Sequence, residues 1–333
     1  MLKLQRESWC TVAGSAVLAC GLLAAGSAMA ESADSFPSRP IRIVSGFAPG
    51  GGTDVAARIV SQPLSARLNG QSIVVDNKPG AAGNIAADFV ARSTPDGYTM
   101  YLTNATIAMP GMFNNLPFDA RKDFAQVSLI GYGPSVLVIN PKLLPVKSVK
   151  ELLDYARKNP GKLNYASGGV GNITHMAMEL LISMTGIDVV HVPYKGGAPS
   201  VNAIVAGEVP MGFTGITGTL GQIRQGTLLP LAVTSKTRVQ ALPGVPTLDE
   251  AGVKGYESSS WYGLLAPAAT PKPIVDKIGN AVRDALKTKE LRDKLLAQGI
   301  EPAEGGSAEF ASYMSGEFVK WDGIIKKSNI KAE

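Results

Sequence analysis

Apolar residues fall into short runs that alternate with stretches of helical spacing. Runs at 41–47, 72–77, 98–103, 135–141, 163–167, 188–194, 209–215, 228–235 and 262–267 are rich in Val, Ile, Leu and Tyr and read as strands. The helices between them carry legible ends. Ser148 to Glu151 is a capping box ahead of Leu152, Leu153 and Ala156, and Pro160-Gly161 closes that helix. Thr247 to Glu250 repeats the box and predicts a second, short helix. Ile173, Met176, Ala177, Leu180, Leu181 and Met184 share the face of a third. Pro63 predicts a kink or restart in the helix that begins at Asp54. The chain closes on helices at 273–297 and 308–327, the second with Phe310, Tyr313, Trp321 and Ile324 on one face. Strands alternating with helices predict an α/β fold, and 333 residues suit two domains.

Two stretches share one grammar of strand, glycine-rich loop and helix start. The first is "IVSGFAPGGGTDVAARIV" (43–60) and the second "LNYASGGVGNITHMAMELL" (163–181). Such a unit aims backbone N–H groups at whatever sits above the loop. Thr53-Asp54 follows the first loop where a Walker loop needs Lys-Ser/Thr, and Gly50-Gly51-Gly52 does not supply a dinucleotide fingerprint. Thr53 and Asn172 are the expected N-caps. With about 120 residues between them the units suit one per domain, and two helix N-termini facing across a cleft would hold an anion from both sides.

The first thirty residues read as a signal peptide. Lys3 and Arg6 precede an apolar run from about Trp9 to Ala25, and Ala28-Met29-Ala30 offers a cleavage site before Glu31. Export to the periplasm with cleavage after Ala30 is expected; a lipoprotein at Cys20, within Val17-Leu18-Ala19-Cys20, is the alternative. Both cysteines, Cys10 and Cys20, lie in this leader, so the mature chain carries no disulfide, thiol nucleophile or cysteine metal site. Losing Lys3, Arg6 and Glu7 lowers the net charge from +5 to +4, too mild and evenly spread for a nucleic-acid surface.

The runs "PSRPIRIVSGFAPGGGTDVAARIVSQPLS" and "VVDNKPGAAGNIAADFVARSTPDGYTMYL" resemble the N-terminal half of the substrate-binding proteins of tripartite tricarboxylate transporters, the Bug family. The resemblance continues through "YASGGVGNITHMAMELL", "GIDVVHVPYKGGAPSVNAIVAGEVPMGF" and "LLPLAVTSKTRVQALPGVPTLDEAGVKGYESSSWYGLLAPAATP" to "YMSGEFVKWDGIIKKSNI", nearly the whole mature chain. It implies a type II-like periplasmic binding protein of two α/β lobes joined by crossing strands, lobe 1 being 31–137 with 262–333 and lobe 2 being 138–261. It also implies a monomer that grips a small carboxylate partly by backbone amides and ordered waters and hands it to a two-subunit membrane permease, or in some members to a sensor. No cofactor or metal is expected.

Carried over by resemblance, the ligand contacts are Phe47, Ala48, Pro49, Gly50, Gly51, Thr53, Asp54 and Asn104 from lobe 1. Lobe 2 contributes Ser167, Gly168, Gly169, Gly171, Asn172, Tyr194, Lys195 and Thr214. The chain departs from the family pattern at Ser45-Gly46, where Val-Pro is usual, at Asn172, where Ser or Thr is usual, and at Phe213-Thr214, where Phe-Asp is frequent.

Physical chemistry keeps alternatives open for single residues. Asp54 in a first helical turn either complements the dipole or orients waters and a ligand hydroxyl or amine. His175 and His191, the two histidines of the chain, read as structural, with no partner at metal-ligand spacing. Lys195 is either the cation of the cleft or solvated surface. Trp261 and Tyr262 precede the returning strand and serve packing or the hinge side of the cleft. Ser167 is the best nucleophile available, but no G-x-S-x-G elbow surrounds it and its loop suits an anion cradle. A periplasmic hydrolase or lyase acting on organic acids is the rival of another class. Dicarboxylates, tricarboxylates, aromatic acids and amino acids all stay open as ligands.

Overall fold

The protein is described by a computed structural model covering residues 33–113 and 115–328. The expected signal peptide and its cleavage site lie outside the described residues. In chain order the elements are β1 (Ile41–Ser45), α1 (Gly52–Arg67), β2 (Ile73–Asn77), α2 (Asn84–Ala91), β3 (Thr99–Asn104) and β4 (Phe124–Ile139). Next come α3 (Val149–Lys158), β5 (Leu163–Ser167), α4 (Ile173–Thr185), β6 (Val189–Pro193), α5 (Gly197–Ala206), β7 (Met211–Gly215) and α6 (Ile216–Arg224). The chain continues through β8 (Leu229–Val233), β9 (Ser259–Pro267), α7 (Lys272–Leu286), α8 (Lys289–Leu296), β10 (Glu301–Pro302) and α9 (Ser307–Ser328).

The architecture is a two-lobe α/β fold of the type II-like kind. The strands follow the order β2-β1-β3-β9-β4-β7-β5-β6, with β8 and β10 also pairing β4. β1, β2 and β3 are parallel neighbours, as are β5, β6 and β7. The long strand β4 joins the two groups. Phe124 to Pro134 pair antiparallel with β9, and Ser135 to Ile139 pair antiparallel with β7. Each group is covered on both faces. In the first, β1, β3 and β9 pack against α1, α7 and α8 on one side and against α2 and α9 on the other. In the second, α3 and α4 contribute to one core and α5 and α6 to the other. Burial on both faces explains why these strands read as apolar runs rather than as alternation.

Several expected boundaries move, each for a local reason. α1 runs unbroken through Pro63, because Val60 and Leu64 on either side of it are buried in the core and the packing outweighs the lost hydrogen bond. Its N-cap is Gly51 rather than Thr53, whose hydroxyl instead accepts a 3.0 Å bond from Ser45 Oγ. Asn172 does cap α4, accepting from Thr174 N at 3.1 Å. The Thr247–Glu250 box forms both reciprocal bonds, at 2.9 and 3.0 Å, but closes a turn and not a helix; Gly252 follows at φ +105°, a left-handed value. The segment expected as one helix over 273–297 is two, since Thr288 Oγ1 donates to Ala285 O at 2.7 Å and the same residue caps α8. β4 begins eleven residues before the predicted 135, and β9 takes in Trp261 and Tyr262.

Candidate functional site

The loop between β1 and α1 is held from several sides. Asn77 Nδ2 donates to Phe47 O at 3.0 Å, Lys78 N to Ser45 O at 2.8 Å, and Gly51 N to Ala48 O at 3.2 Å. The buried Asp54 accepts from Gly50 N at 3.0 Å and pairs with Arg58 at 2.9 Å. Burial alone would raise the Asp54 carboxyl; the bonds from Arg58 and the Gly50 N–H outweigh it and hold it below the usual range. Ser45-Gly46 has a structural reason. Ser45 supplies the hydroxyl bond to Thr53, and a Cβ on Gly46 would lie 2.7 Å from the Gly83 Cα, so glycine lets the 79–83 turn approach.

The second loop is pinned by the first turn of α4. Gly168 N donates to Thr174 Oγ1 at 2.9 Å, Gly169 N to Ser167 Oγ at 3.1 Å and Gly171 N to His175 Nδ1 at 3.1 Å. These glycine amides are therefore engaged within the protein and not free to meet a carboxylate. The free donors lie one step on, in the first helical turns: the N–H groups of Gly52, Thr53, Ile173, Gly197 and Ala198 have no intramolecular partner among the described residues.

Two adjoining cavities lie above these loops, with Phe47, Ala48 and Gly196 lining both. The inner chamber, about 90 Å³, is reached by the N-terminal ends of four helices: Gly51 to Thr53 of α1, Asn172 to Thr174 of α4, Gly196 to Pro199 of α5, and Gly215, the N-cap of α6. Beside Phe47 and Ala48, its remaining wall is Pro49, Asn104, Gly133, Ser135, Ser260 and Tyr262, largely from β4 and β9. No charged side chain lines it. Each N-terminus carries roughly half a positive charge, so the chamber favours an anion without a single lysine or arginine. Asn104 Oδ1 accepts from Thr106 N at 3.0 Å, which leaves its Nδ2 as the donor available to the chamber. Burial pushes the Tyr262 phenol up to about 12, so it stays a neutral hydroxyl. The outer cavity, about 520 Å³, is lined by Phe47, Ala48, Pro79 to Gly83, Val170 and Tyr194, and Lys195 is the one charged residue on its wall.

Of the residues expected at the ligand, Phe47, Ala48, Pro49, Gly51, Thr53, Asn104, Gly168, Gly169, Asn172, Tyr194 and Lys195 line one or both cavities. Gly50, Asp54, Ser167, Gly171 and Thr214 line neither. Asp54 is turned back onto Arg58, and Thr214 is buried and accepts from Thr219 Oγ1 at 2.9 Å. Tyr262, one of the two residues offered for packing or the hinge side of the cleft, lines the inner chamber, whereas Trp261 beside it is core. Gly133, Ser135, Ser260 and the start of α5 carry no signal along the chain beyond the Gly196-Gly197 pair, because each lies far from the glycine loops.

The two histidines are not isolated. Their rings stack at 4.1 Å, and Tyr165 stacks on His191 at 4.9 Å. Ser167 Oγ lies 2.6 Å from His191 Nε2, while Glu179 faces His175 Nε2 at 3.5 Å and accepts from Tyr165 Oη at 2.9 Å. Ser167 is fully buried, so the serine–histidine pair supports the loop from beneath rather than facing a substrate. Burial, and then the neighbouring His175, lower His191 to about 4. The unfolded chain therefore takes up the proton first as pH falls. Stability present above about pH 6.5 should be lost towards pH 4, by up to about 1.4 kcal/mol per pH unit. Melting temperatures across that window should show the slope, and His191→Gln should flatten it.

A two-lobe frame with an anion-favouring chamber between glycine loops defines a solute-binding protein of the periplasmic class. The sequence profile described as "Tripartite tricarboxylate transporter family receptor" matches residues 56–330, and the chain belongs to that family. Among curated relatives, Protein BugT of Bordetella pertussis is 33% identical over 319 residues, covering 95% of this chain and 97% of its own. Rpa4515 of R. palustris, determined with adipate, superposes with a TM-score of 0.85 at 35% identity, over 89% of this chain and 99% of that one. MatC of Rhodopseudomonas palustris, with bound malate, does so at 0.79 and 31% identity, over 87% and 100%. The family and these neighbours are substrate-binding proteins, not enzymes.

Proposed function

We propose that the protein captures a small organic carboxylate between its lobes in the periplasm and delivers it to a two-subunit membrane permease of the tripartite tricarboxylate type. The observation that carries this reading is the inner chamber, where four helix N-termini converge with no charged side chain on the wall. A carboxylate head fits such a chamber, and a longer chain extends past Phe47 and Ala48 into the outer cavity. The adipate and malate held by the two R. palustris neighbours support an acid of this kind. We assign the moving bodies as 31–137 with 262–333 and as 138–261, a division supported by the exchange of β4 partners at Ser135. Contacts from both lobes exist together only when the cleft is shut, so the ligand stabilises closure by its differential affinity.

A thermal-shift panel of mono-, di- and tricarboxylates and aromatic acids tests the reading. An acid at a hundred times its Kd should add roughly 2.7 kcal/mol, a rise of several degrees for a chain of this size. No shift with any acid, and no small molecule retained in native mass spectrometry, would sink it. Lys195→Ala should weaken dicarboxylates by roughly two- to fivefold and monocarboxylates hardly at all, since an exposed cation contributes about 1 kcal/mol or less. Titration calorimetry with matched acids reads that difference.

A further inference from the structure

We propose that Ser260 reads a hydroxyl group carried beside the ligand's carboxylate, so that the inner chamber selects 2-hydroxy acids over their deoxy and 2-amino counterparts. The inference rests on the carboxylate reading above and deepens it. Ser260 sits on β9, is 4% exposed and lines the inner chamber, yet its Oγ has no hydrogen-bond partner among the described residues. A buried hydroxyl without a partner is destabilising, and native interiors leave few of them. Its strand partner is Gly133, which has no side chain to bond it. The partner of Ser260 is thus to be supplied by whatever fills the chamber.

The chemistry of the walls says which group that is. The helical side offers N–H donors, which suit the acceptor-only oxygens of a carboxylate. It offers few acceptors, because the carbonyls of Ala48, Gly51, Asn172, Gly196 and Gly215 already accept bonds within the protein. A ligand O–H or N–H must therefore turn to the β4–β9 side, where Ser135, Ser260 and Tyr262 carry hydroxyl groups and the Ser260 Oγ is, of these three, the one fully buried without a partner. Between those two ligand groups the electrostatics decide. Four helix N-termini and the absence of any lining carboxylate disfavour an ammonium, whereas a neutral hydroxyl carries no such penalty and can both donate to Ser260 Oγ and accept from it.

Titration calorimetry on the wild-type protein and Ser260→Ala, with matched acids, tests the proposal. The pairs are lactate and propionate, malate and succinate, citrate and tricarballylate, and mandelate and phenylacetate, with alanine and aspartate as the 2-amino members. In the best-binding pair the hydroxy acid should bind the wild type about tenfold more tightly than its deoxy counterpart. In Ser260→Ala that ratio should collapse to within about twofold. The variant should melt no lower than the wild type, because the hydroxyl removed has no protein partner. Equal affinity within every binding pair, a preference that survives Ser260→Ala, tighter binding of the amino acid, or a lower melting temperature of the ligand-free variant would each overturn this inference while leaving the carboxylate reading intact. Failure of every acid to bind would overturn both.

Discussion

Gly52→Val is expected to abolish ligand-dependent stabilisation, with at least a hundredfold loss of affinity for any acid that shifts the wild type. Gly52 opens α1, and a Cβ there would fall onto the Tyr262 hydroxyl, with the ring carbon Cζ at 2.9 Å. The ring has nowhere to retreat: Gly133 backs it, and a Cβ on Gly133 would meet the same ring at 2.6 Å. Either the first turn of α1 or the phenol must then move, and the chamber of about 90 Å³ between them is lost. Overpacking should also cost the fold about 1–3 kcal/mol, too little to unfold a domain pair of this size. Gly221→Ala, in the interior of α6 with open space around it, is the matched control; it should raise stability by roughly 0.5–1 kcal/mol and keep the ligand shift. Thermal scans with and without acid read both effects. A persisting ligand shift in Gly52→Val would show that the chamber is not where the acid sits.

The second large effect concerns the frame behind the chamber. Glu317 of α9 is 5% exposed, and its Oε2 accepts from the indole N–H groups of Trp261 and Trp321, each at 3.0 Å. Both tryptophans are fully buried, and Trp261 immediately precedes Tyr262 on β9. One carboxylate oxygen thereby ties α9 to β9, which carries Ser260 and Tyr262 of the chamber wall. Glu317→Leu leaves two buried donors unpaired and should cost about 2–5 kcal/mol, whereas Glu317→Gln keeps an acceptor and should cost less than half of that. Urea unfolding followed by tryptophan fluorescence measures the shift in midpoint. A Leu variant as stable as the wild type would mean that the two indoles find other partners.

What could be read along the chain follows the range of the signals. Ser148 and Asn172 speak to backbone groups two or three residues away, and both cap the helices they were expected to cap. Eight of the nine predicted strands needed only small adjustment of their ends, because apolar runs between turn residues are a local code. β4 escaped for the same reason in reverse. Gly131, Gly133 and Pro134 are turn signals in isolation, yet pairing with β9, with register shifts near Gln126 and Leu129, carries the strand straight through them. Pro63 is a comparable case, in which the packing of Val60 and Leu64 overrides a local breaker.

The sequence by itself determined the α/β alternation, the two strand–loop–helix units and the family resemblance, since each is written in contiguous residues. Only the tertiary structure decided what the ligand would meet. The ends of α5 and α6 join those of α1 and α4, the glycine amides turn inward to Ser167, Thr174 and His175, the histidines stack, and Ser260 is left without a partner. Residues 52, 133, 172, 197, 215 and 260 come together because the long strand β4 runs from one group of strands into the other, and no periodicity, cap or turn preference reports a contact across such separations.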